Sequence, residues 1–309
     1  MVVTHGTLAP RGRHALTVGN FDGVHRGHQA MLARVVARAR ELGAASGVLT
    51  FEPQPREFFA RERAGSRLTR LREKLHLLAA AGVDRAHVAR FNARFSSLSA
   101  ERFIEEVLVR GLGVAWLLVG RDFRFGAKRA GDYATLEAAA KRHGFELEAM
   151  PEVLHGGERI SSSGVREALI AGDFARAERL LGRRYTIAGR VAHGAKLGRS
   201  LGFATANIVL PRRPPLAGVF VVEARGAADG AGWLRGVANI GLRPTVNTLA
   251  RPLLEVHLFE ELGELYGRRL EVQFLAKLRD EEKYADLALL REAIAGDVAR
   301  AKEYFLNHG

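Results

Sequence analysis

Two histidines three positions apart, His25 and His28, close a run that reads Gly19-Asn20-Phe21-Asp22-Gly23-Val24-His25-Arg26-Gly27-His28. The run follows an apolar stretch, Ala15 to Val18, and precedes an amphipathic segment that begins at Gln29. A glycine-bearing turn between a strand and a helix offers unpaired backbone N–H groups and the positive end of a helix dipole to an anion. Both imidazoles sit at the helix start and can face one bound phosphate, so nucleotide chemistry is the leading expectation for this turn.

A second helix start carries more hydroxyls than a cap needs. In Arg159-Ile160-Ser161-Ser162-Ser163-Gly164-Val165-Arg166, one serine would serve as N-cap. Three hydroxyls between Arg159 and Arg166 also make a pocket for a polyphosphate. The stretch Thr50-Phe51-Glu52-Pro53-Gln54-Pro55 reads as a strand stopped by two prolines that stiffen the loop beyond. After Leu117-Leu118-Val119 comes Gly120-Arg121-Asp122-Phe123-Arg124-Phe125-Gly126, then Lys128, Arg129 and Gly131. Its aromatics and cations suit a ring-bearing phosphorylated ligand as readily as they suit a surface loop.

The second half holds another set. Gly194-Ala195-Lys196-Leu197-Gly198-Arg199-Ser200-Leu201-Gly202 is glycine-rich and basic, and Phe203-Ala204-Thr205-Ala206-Asn207 follows it. Such a loop can wrap phosphates with backbone N–H groups, while the Thr205 hydroxyl and the Asn207 carbonyl can supply oxygens to Mg²⁺. In Leu253-Leu254-Glu255-Val256-His257-Leu258, alternation puts Glu255 and His257 on one face. If that face lines a pocket, Glu255 can accept a proton from a substrate hydroxyl.

The elements that must position these residues fall into two patterns. From residue 14 to about 150, strand-length apolar runs (His14 to Gly19, Gly47 to Phe51, Ala86 to Phe91, Val114 to Val119, Phe145 to Met150) alternate with helix-period segments. The helical segments are Gln29 to Leu42, Thr69 to Ala81, Ala100 to Leu112 and Tyr133 to His143. This alternation predicts an α/β unit, a parallel sheet with helices on both faces and ligands at the carboxyl ends of its strands. A short helix, Phe174 to Leu181, ends at Gly182, and from Tyr185 onward the period becomes that of short strands: Tyr185 to Val191, Gly218 to Ala224, Trp233 to Ile240, Leu253 to Phe259 and Leu270 to Leu278. Five or six such strands, followed by a helical tail from Glu281, predict a small antiparallel barrel, which makes the whole chain α/β plus all-β. The boundary falls at 183/184, giving units 1–183 and 184–309.

Composition narrows the partners. The 309 residues are enough for two domains, and with 47% of them hydrophobic each can bury a core. No cysteine is present, which excludes disulfides, thiolate metal sites and cysteine nucleophiles and fits a reducing interior. No apolar run approaches the roughly eighteen residues of a membrane span, so a soluble cytoplasmic protein is expected. The net charge of +13 favours anionic partners, but the basic residues form no solid block. Nucleotide phosphates are the simpler partner, with neither nucleic acid nor membrane required.

With both halves read, the chain from about residue 14 to 305 resembles the bifunctional bacterial riboflavin kinase/FMN adenylyltransferases, or FAD synthetases. The resemblance rests on Gly19 to His28, Thr50 to Pro55, Val119 to Gly126, Ile160 to Arg166, Leu181 to Tyr185, Gly202 to Asn207, Val237 to Thr245 and Leu254 to Phe259, eight motifs in the family's order. It implies a Rossmann-like nucleotidyltransferase domain followed by a riboflavin kinase barrel. The barrel would phosphorylate riboflavin to FMN, with Glu255 as base, Thr205 and Asn207 near Mg²⁺, and Gly194, Lys196, Gly198, Arg199 and Gly202 around ATP. The first domain would transfer AMP from a second ATP to FMN, releasing pyrophosphate and forming FAD. There His25 and His28 would act on the triphosphate with Gly19, Asn20, Phe21, Asp22, Gly23, Gly27, Arg159, Ser162, Ser163 and Arg166. Flavin contacts are implied for Asp122, Phe123 and Phe125 in the first domain and for Asn239 and Arg243 in the second. The partners implied are small molecules: riboflavin, FMN and ATP.

Three positions depart from the family's pattern. Gln54 stands where Thr-Phe-x-Pro-His-Pro has histidine, turning a cationic contact into a neutral hydrogen-bonding one. Ser163 replaces threonine and keeps the hydroxyl. Ala204 replaces the proline of Pro-Thr-x-Asn, a loss of preorganisation of about 0.4 to 1 kcal/mol if the native φ is proline-like. Two rival readings remain at this level: another adenylyl- or cytidylyltransferase, since His-x-Gly-His marks that superfamily broadly, and a flavin- or RNA-binding regulator that has lost catalysis.

Overall fold

The structure, a computed structural model, describes residues 1–6, 12–60, 65–193, 202–227, 232–245 and 248–308. It divides into two compact units, Met1–Gly65 with Thr69–Ser161, and Ser66–Leu68 with Ser162–Gly309. Helices after Ser161 therefore group with the second unit, although the strand-helix alternation in the sequence runs on to Leu181.

In the first unit, β1 (Val2–His5), β2 (His14–Val18), β3 (Ala45–Glu52), β4 (Arg85–Arg90), β5 (Val114–Gly120) and β6 (Glu146–Met150) form one sheet in the order β1-β4-β3-β2-β5-β6. Every neighbouring pair is parallel. Helices α1 (Arg26–Glu41), α2 (Pro55–Phe59), α3 (Leu71–Ala80), α4 (Ala93–Ser96), α5 (Ala100–Arg102) and α6 (Tyr133–His143) make the crossovers. Both sheet faces are covered: Leu16, Leu49 and Leu117 belong to one core cluster, Ala15, Trp116 and Leu118 to another. Continuous apolar strands are what a doubly covered parallel sheet demands. The order places the chain's reversal between β2 and β5, so the loops leaving these two strands are neighbours at the carboxyl edge, where open α/β sheets take ligands. A two-stranded hairpin, β7 (Leu154–His155) and β8 (Glu158–Arg159), ends the unit.

The expected strands are present with ends shifted by a residue or two, and Tyr133–His143 is helical between Asp132, which caps Thr135 N–H, and the left-handed Gly144. Edge strand β1, four residues long, is not among the expected strands. Two expectations need correction. Pro55 does not merely stiffen a loop but opens α2 at its first position, where its missing N–H costs nothing. The segment expected as one helix from Ala100 is α5 followed by a π-helix, Phe103–Val109; Phe103, Ile104, Val107 and Leu108 are buried in it, a pattern that does not distinguish the two windings.

The second unit begins with α7 (Ser162–Ala171) and α8 (Phe174–Leu181), the latter capped by Asp173 and ended by left-handed Gly182. Strands β9 (Thr186–Ala192), β10 (Ala206–Val209), β11 (Gly218–Arg225), β12 (Leu234–Thr245), β13 (Thr248–Leu258) and β14 (Arg269–Arg279) close an antiparallel barrel, ordered β10-β13-β12-β11-β14-β9 and sealed by β9 against β10. Phe174, Phe220 and Phe274 meet edge to face in its interior packing. The C-terminal helix α9 (Leu287–His308) lays Ala301 and Phe305 on the core cluster that holds Val221 and Val237. Four-residue β10 is the strand the sequence pattern did not resolve, being too short to show a period.

One buried titratable group ties the sheet edge down. His87 on β4 is opposite Thr4 on β1, with its Nδ1 2.9 Å from the Thr4 hydroxyl. Burial, aided by the charge of His5, pushes His87 down to about 4. A folded-state value below the ordinary 6.5 means that protonation favours the unfolded chain, so this contribution is complete above pH 6.5 and is lost as pH falls toward 4. Urea unfolding across that window should show the loss, bounded at about 3 kcal/mol, and His87→Gln should flatten that part of the profile.

Candidate functional site

The turn after β2 is built on strain and burial. Phe21 and Val24 both have positive φ, +48° and +41°, a region that costs a non-glycine residue about 1–3 kcal/mol. Each is only 1% exposed, in one core cluster with Leu32 and Leu78, and burial of such side chains returns roughly 1.5–3 kcal/mol. Asp22 and Gly23 are clamped from the other side by Thr69, whose N–H donates to Asp22 Oδ1 at 3.1 Å and whose hydroxyl accepts from Gly23 N–H at 3.0 Å. Thr69 is thereby spent on the turn, and α3 starts at Leu71 rather than at Thr69 as the periodicity suggests.

Beyond the turn, His25 is the N-cap of α1, its Nδ1 accepting from His28 N–H at 3.3 Å. Acceptance at Nδ1 leaves Nε2 to carry the proton of neutral His25. The two rings stack at 3.7 Å and 16°, with Phe21 tilted against His28 at 5.0 Å. Burial, then the charges of His25 and Lys74, hold His28 well below the ordinary histidine value, so it stays neutral near pH 7. A Cβ at Gly27 would stand 3.2 Å from His25 Nδ1 and 3.7 Å from the Ile160 carbonyl. Glycine here lets the segment carrying Arg159 and Ile160 approach the helix start.

Three buried polar atoms at or beside this turn have no hydrogen-bond partner: Asn20 Oδ1, His28 Nδ1 and Gln54 Nε2. Gln54 is the N-cap of α2 and 6% exposed, with its own N–H donated to the Glu57 carboxylate at 2.9 Å. Unsatisfied buried groups of this kind call for an explanation, and a polar ligand supplies one.

The loop after β5 places Asp122 3.5 Å from Arg159, so two residues singled out separately in the sequence pair here. Phe123 and Phe125 stack at 5.5 Å and 18°. Phe125 is buried in the main core cluster against Phe103, so of the two rings Phe123 keeps the more open face. Ser162, Ser163 and Arg166 lie on α7 in the second unit, where Arg166 Nε donates to the Ser66 carbonyl at 2.6 Å.

In the barrel, Asn207 on β10 is directly opposite Glu255 on β13, and Glu255 is directly opposite Asn239 on β12. Directly paired residues share a sheet face, so a carboxylate lies between two carboxamides in one row. Glu255 and His257 line the same cavity of about 210 Å³, as their alternation requires. Its other walls include Val219, Leu290, Ile294 and Tyr284, and the Asn239 Oδ1 is buried without a partner. Thr205 borders this cavity and a second cleft of about 470 Å³ that also takes in Gly202, Ala204 and Tyr266. Asn207 Nδ2 lies 3.4 Å from the Thr205 carbonyl, which turns its Oδ1 the other way. Gly194, Lys196, Gly198 and Arg199 lie outside the described residues, and Arg243 is described only as a backbone position opposite Arg251.

Two features escaped the sequence reading. Lys74 is fully buried beside the turn; its signal is a cation on the apolar stripe of α3, four residues before Leu78. Asp297 on α9 is 2% exposed and takes both Arg279, at 3.0 and 2.7 Å, and Arg300 at 2.6 Å. This pins α9 to β14 and completes the cavity wall.

Fold and sites define a two-part protein: an open parallel α/β unit with a strained, buried turn at the start of α1, followed by a closed antiparallel barrel with a carboxylate in its cavity. Residues 9–164 match the family described as FAD synthetase, and residues 181–305 the family described as riboflavin kinase. The chain belongs to the bifunctional riboflavin kinase/FMN adenylyltransferase family. It is 53% identical to a protein of that name from Pseudomonas fluorescens and 47% identical to one from Escherichia coli, in each case over 96% of this chain and 94% of the relative. A crystal structure titled as a macrolide-efflux protein from Streptococcus pneumoniae shares the fold, with a TM-score of 0.79 and 25% identity over 96% of this chain and 97% of that one. No helix among the described residues is long and apolar enough to cross a membrane.

Because Asp297 compensates two guanidinium groups, Asp297→Ala strands Arg279 in a largely buried setting. Thermal or urea unfolding should report a loss of about 3 kcal/mol; a change within error would show that the pin contributes nothing.

Proposed function

We propose that this chain makes FAD from riboflavin in two ATP-dependent steps, residues 184–309 forming FMN and residues 1–183 adenylating it. The observation that carries the reading is Glu255 on a cavity wall beside Asn239, with Asn207 paired to it on its other side, a base between hydrogen-bonding groups. Family membership over both units supports the pair of activities.

In the barrel, Glu255 takes the proton of the ribityl 5′-hydroxyl as that oxygen attacks the γ-phosphorus of ATP, and the bond to ADP breaks. Asn239 and Arg243 contact the flavin, and the cavity's apolar walls suit its ring. The loop from Gly194 to Gly202, including Lys196, Gly198 and Arg199, wraps the nucleotide. Thr205 and Asn207 offer only oxygens toward a metal, a donor set that suits Mg²⁺. When bound, Mg²⁺ would neutralise phosphate charge as it shifts toward the leaving group.

In the first unit, a phosphate oxygen of FMN attacks the α-phosphorus of ATP and pyrophosphate leaves. The nucleophile is already an anion, so no base is required. The His25 Nε2–H and neutral His28 receive the growing negative charge, and the turn from Gly19 to Gly27 shapes the site around the triphosphate, its Gly19 and Gly23 N–H groups being donated to the Leu49 carbonyl and the Thr69 hydroxyl. Arg159 adds a triphosphate contact and Asp122, Phe123 and Phe125 the flavin side; the resemblance assigns Ser162, Ser163 and Arg166 of α7 to the triphosphate as well. Gln54 Nε2, a neutral donor where the family has histidine, serves phosphate without adding charge. The partners are small molecules, and a cysteine-free chain working on ATP belongs in the cytoplasm.

Glu255→Gln should abolish riboflavin phosphorylation while conversion of supplied FMN to FAD persists; His28→Ala should do the reverse, by about 10²–10³ in kcat. Both are read by flavin chromatography after incubation with ATP and Mg²⁺. Loss of both activities in either folded variant refutes the two-site assignment, and riboflavin left untouched by the unaltered chain refutes the enzymatic reading.

A further inference from the structure

Lys74 on α3 has no exposed surface. Lysine is almost never buried this completely without purpose, since taking an ammonium out of water costs several kcal/mol that an apolar side chain on the same stripe would not. Its Nζ is 3.2 Å from Thr50 Oγ1 on β3, and the Thr50 hydroxyl, also buried, donates to the Asn20 carbonyl at 3.3 Å. Asn20 is the first residue past Gly19 in the turn that leads to His25 and His28. From α3 the chain of contacts thus runs by way of β3 to the backbone just past β2, the turn that holds the triphosphate on the reading above. The ammonium is also near enough for its charge to be felt at the His28 ring.

We propose that Lys74 is a positioning residue for adenylyl transfer: through the Thr50 hydroxyl its ammonium fixes the Asn20 carbonyl, and with it the turn that holds the triphosphate. The inference rests on the reading of the first unit as the adenylyl-transfer site. With no exposed surface, Lys74 does not touch substrate; it acts on geometry, and as a fixed positive charge in a setting where solvent screens it little. In-line transfer depends on positioning and charge, so a turn set a fraction of an ångström wrong loses transition-state stabilisation before it loses ATP. The effect therefore falls on kcat rather than KM.

The test uses the full chain and two kinds of variant. Lys74→Met should lower kcat for FMN adenylation about 30-fold and change KM for ATP less than about threefold, while riboflavin phosphorylation by the same preparation stays within twofold. Thr50→Val, which keeps Lys74 but removes the linking hydroxyl, should lower kcat about tenfold, and Thr50→Ser should restore it. The Thr50 pair decides the matter if Lys74→Met does not fold. Wild-type kcat in folded Lys74→Met, or equal kcat in Thr50→Val and Thr50→Ser, overturns the proposal. Failure of the unaltered chain to adenylate FMN is a separate result, which refutes the reading of the first unit and the proposal with it.

Discussion

The left-handed backbone at Phe21 and Val24 is the constraint on which the first unit depends. Neither residue type prefers that region, and a β-branched side chain there is a true outlier. The conformation persists because both side chains are locked in the core and because Thr69 grips Asp22 and Gly23. Strain of a few kcal/mol is thus offset by burial of similar size, and the product is a turn with few alternatives. Preorganisation of that kind is what an anion site needs, since donors already in place reorganise little when charge arrives.

The barrel reaches rigidity by another route. Closure leaves no strand edge, and each functional position is set by register: Asn207, Glu255 and Asn239 align because β10, β13 and β12 pair where they do. A one-residue slip would turn Glu255 away from the cavity. Helix α9 cannot be held by register, so a buried ion cluster around Asp297 does it instead. Breaking such a cluster costs more than forming it gains, which makes it an anchor rather than a source of stability.

Much of this was legible in the amino-acid order, for physical reasons that also explain what was not. Strands β2 to β6 announce themselves because a doubly covered sheet requires unbroken apolar runs, and α6 and α8 because Asp132, Gly144, Asp173 and Gly182 mark their ends. Glu255 and His257 share a face because strand alternation requires it, whereas that this face lines a cavity follows only from the closed barrel. Four-residue β1 and β10 carry too little pattern, and the π-helix hides because its buried positions match an α-helix. Lys74 was passed over for a different reason: charge in a helix reads as solvated until tertiary packing shows otherwise.

The two halves divide along the chemistry of their nucleophiles. An alcohol must lose a proton to attack phosphorus, and the barrel, on the assignment proposed, supplies Glu255 on a cavity wall. A phosphate monoester needs no base, and a carboxylate near it would repel both reactants. The first unit does carry a carboxylate in its turn, yet Asp22 is 3% exposed and accepts from the Thr69 backbone. Its carboxylate accepts within the protein and holds the loop, while His28 stays neutral and the Lys74 ammonium lies buried against Thr50. On the assignment proposed, an anion that braces the turn and a cation buried near it would give the field the sign that adenylyl transfer requires. On the same assignment, a neutral Gln54 can stand in for a histidine: with His28 itself held neutral by burial, the turn would work through donated hydrogen bonds rather than through titratable charge.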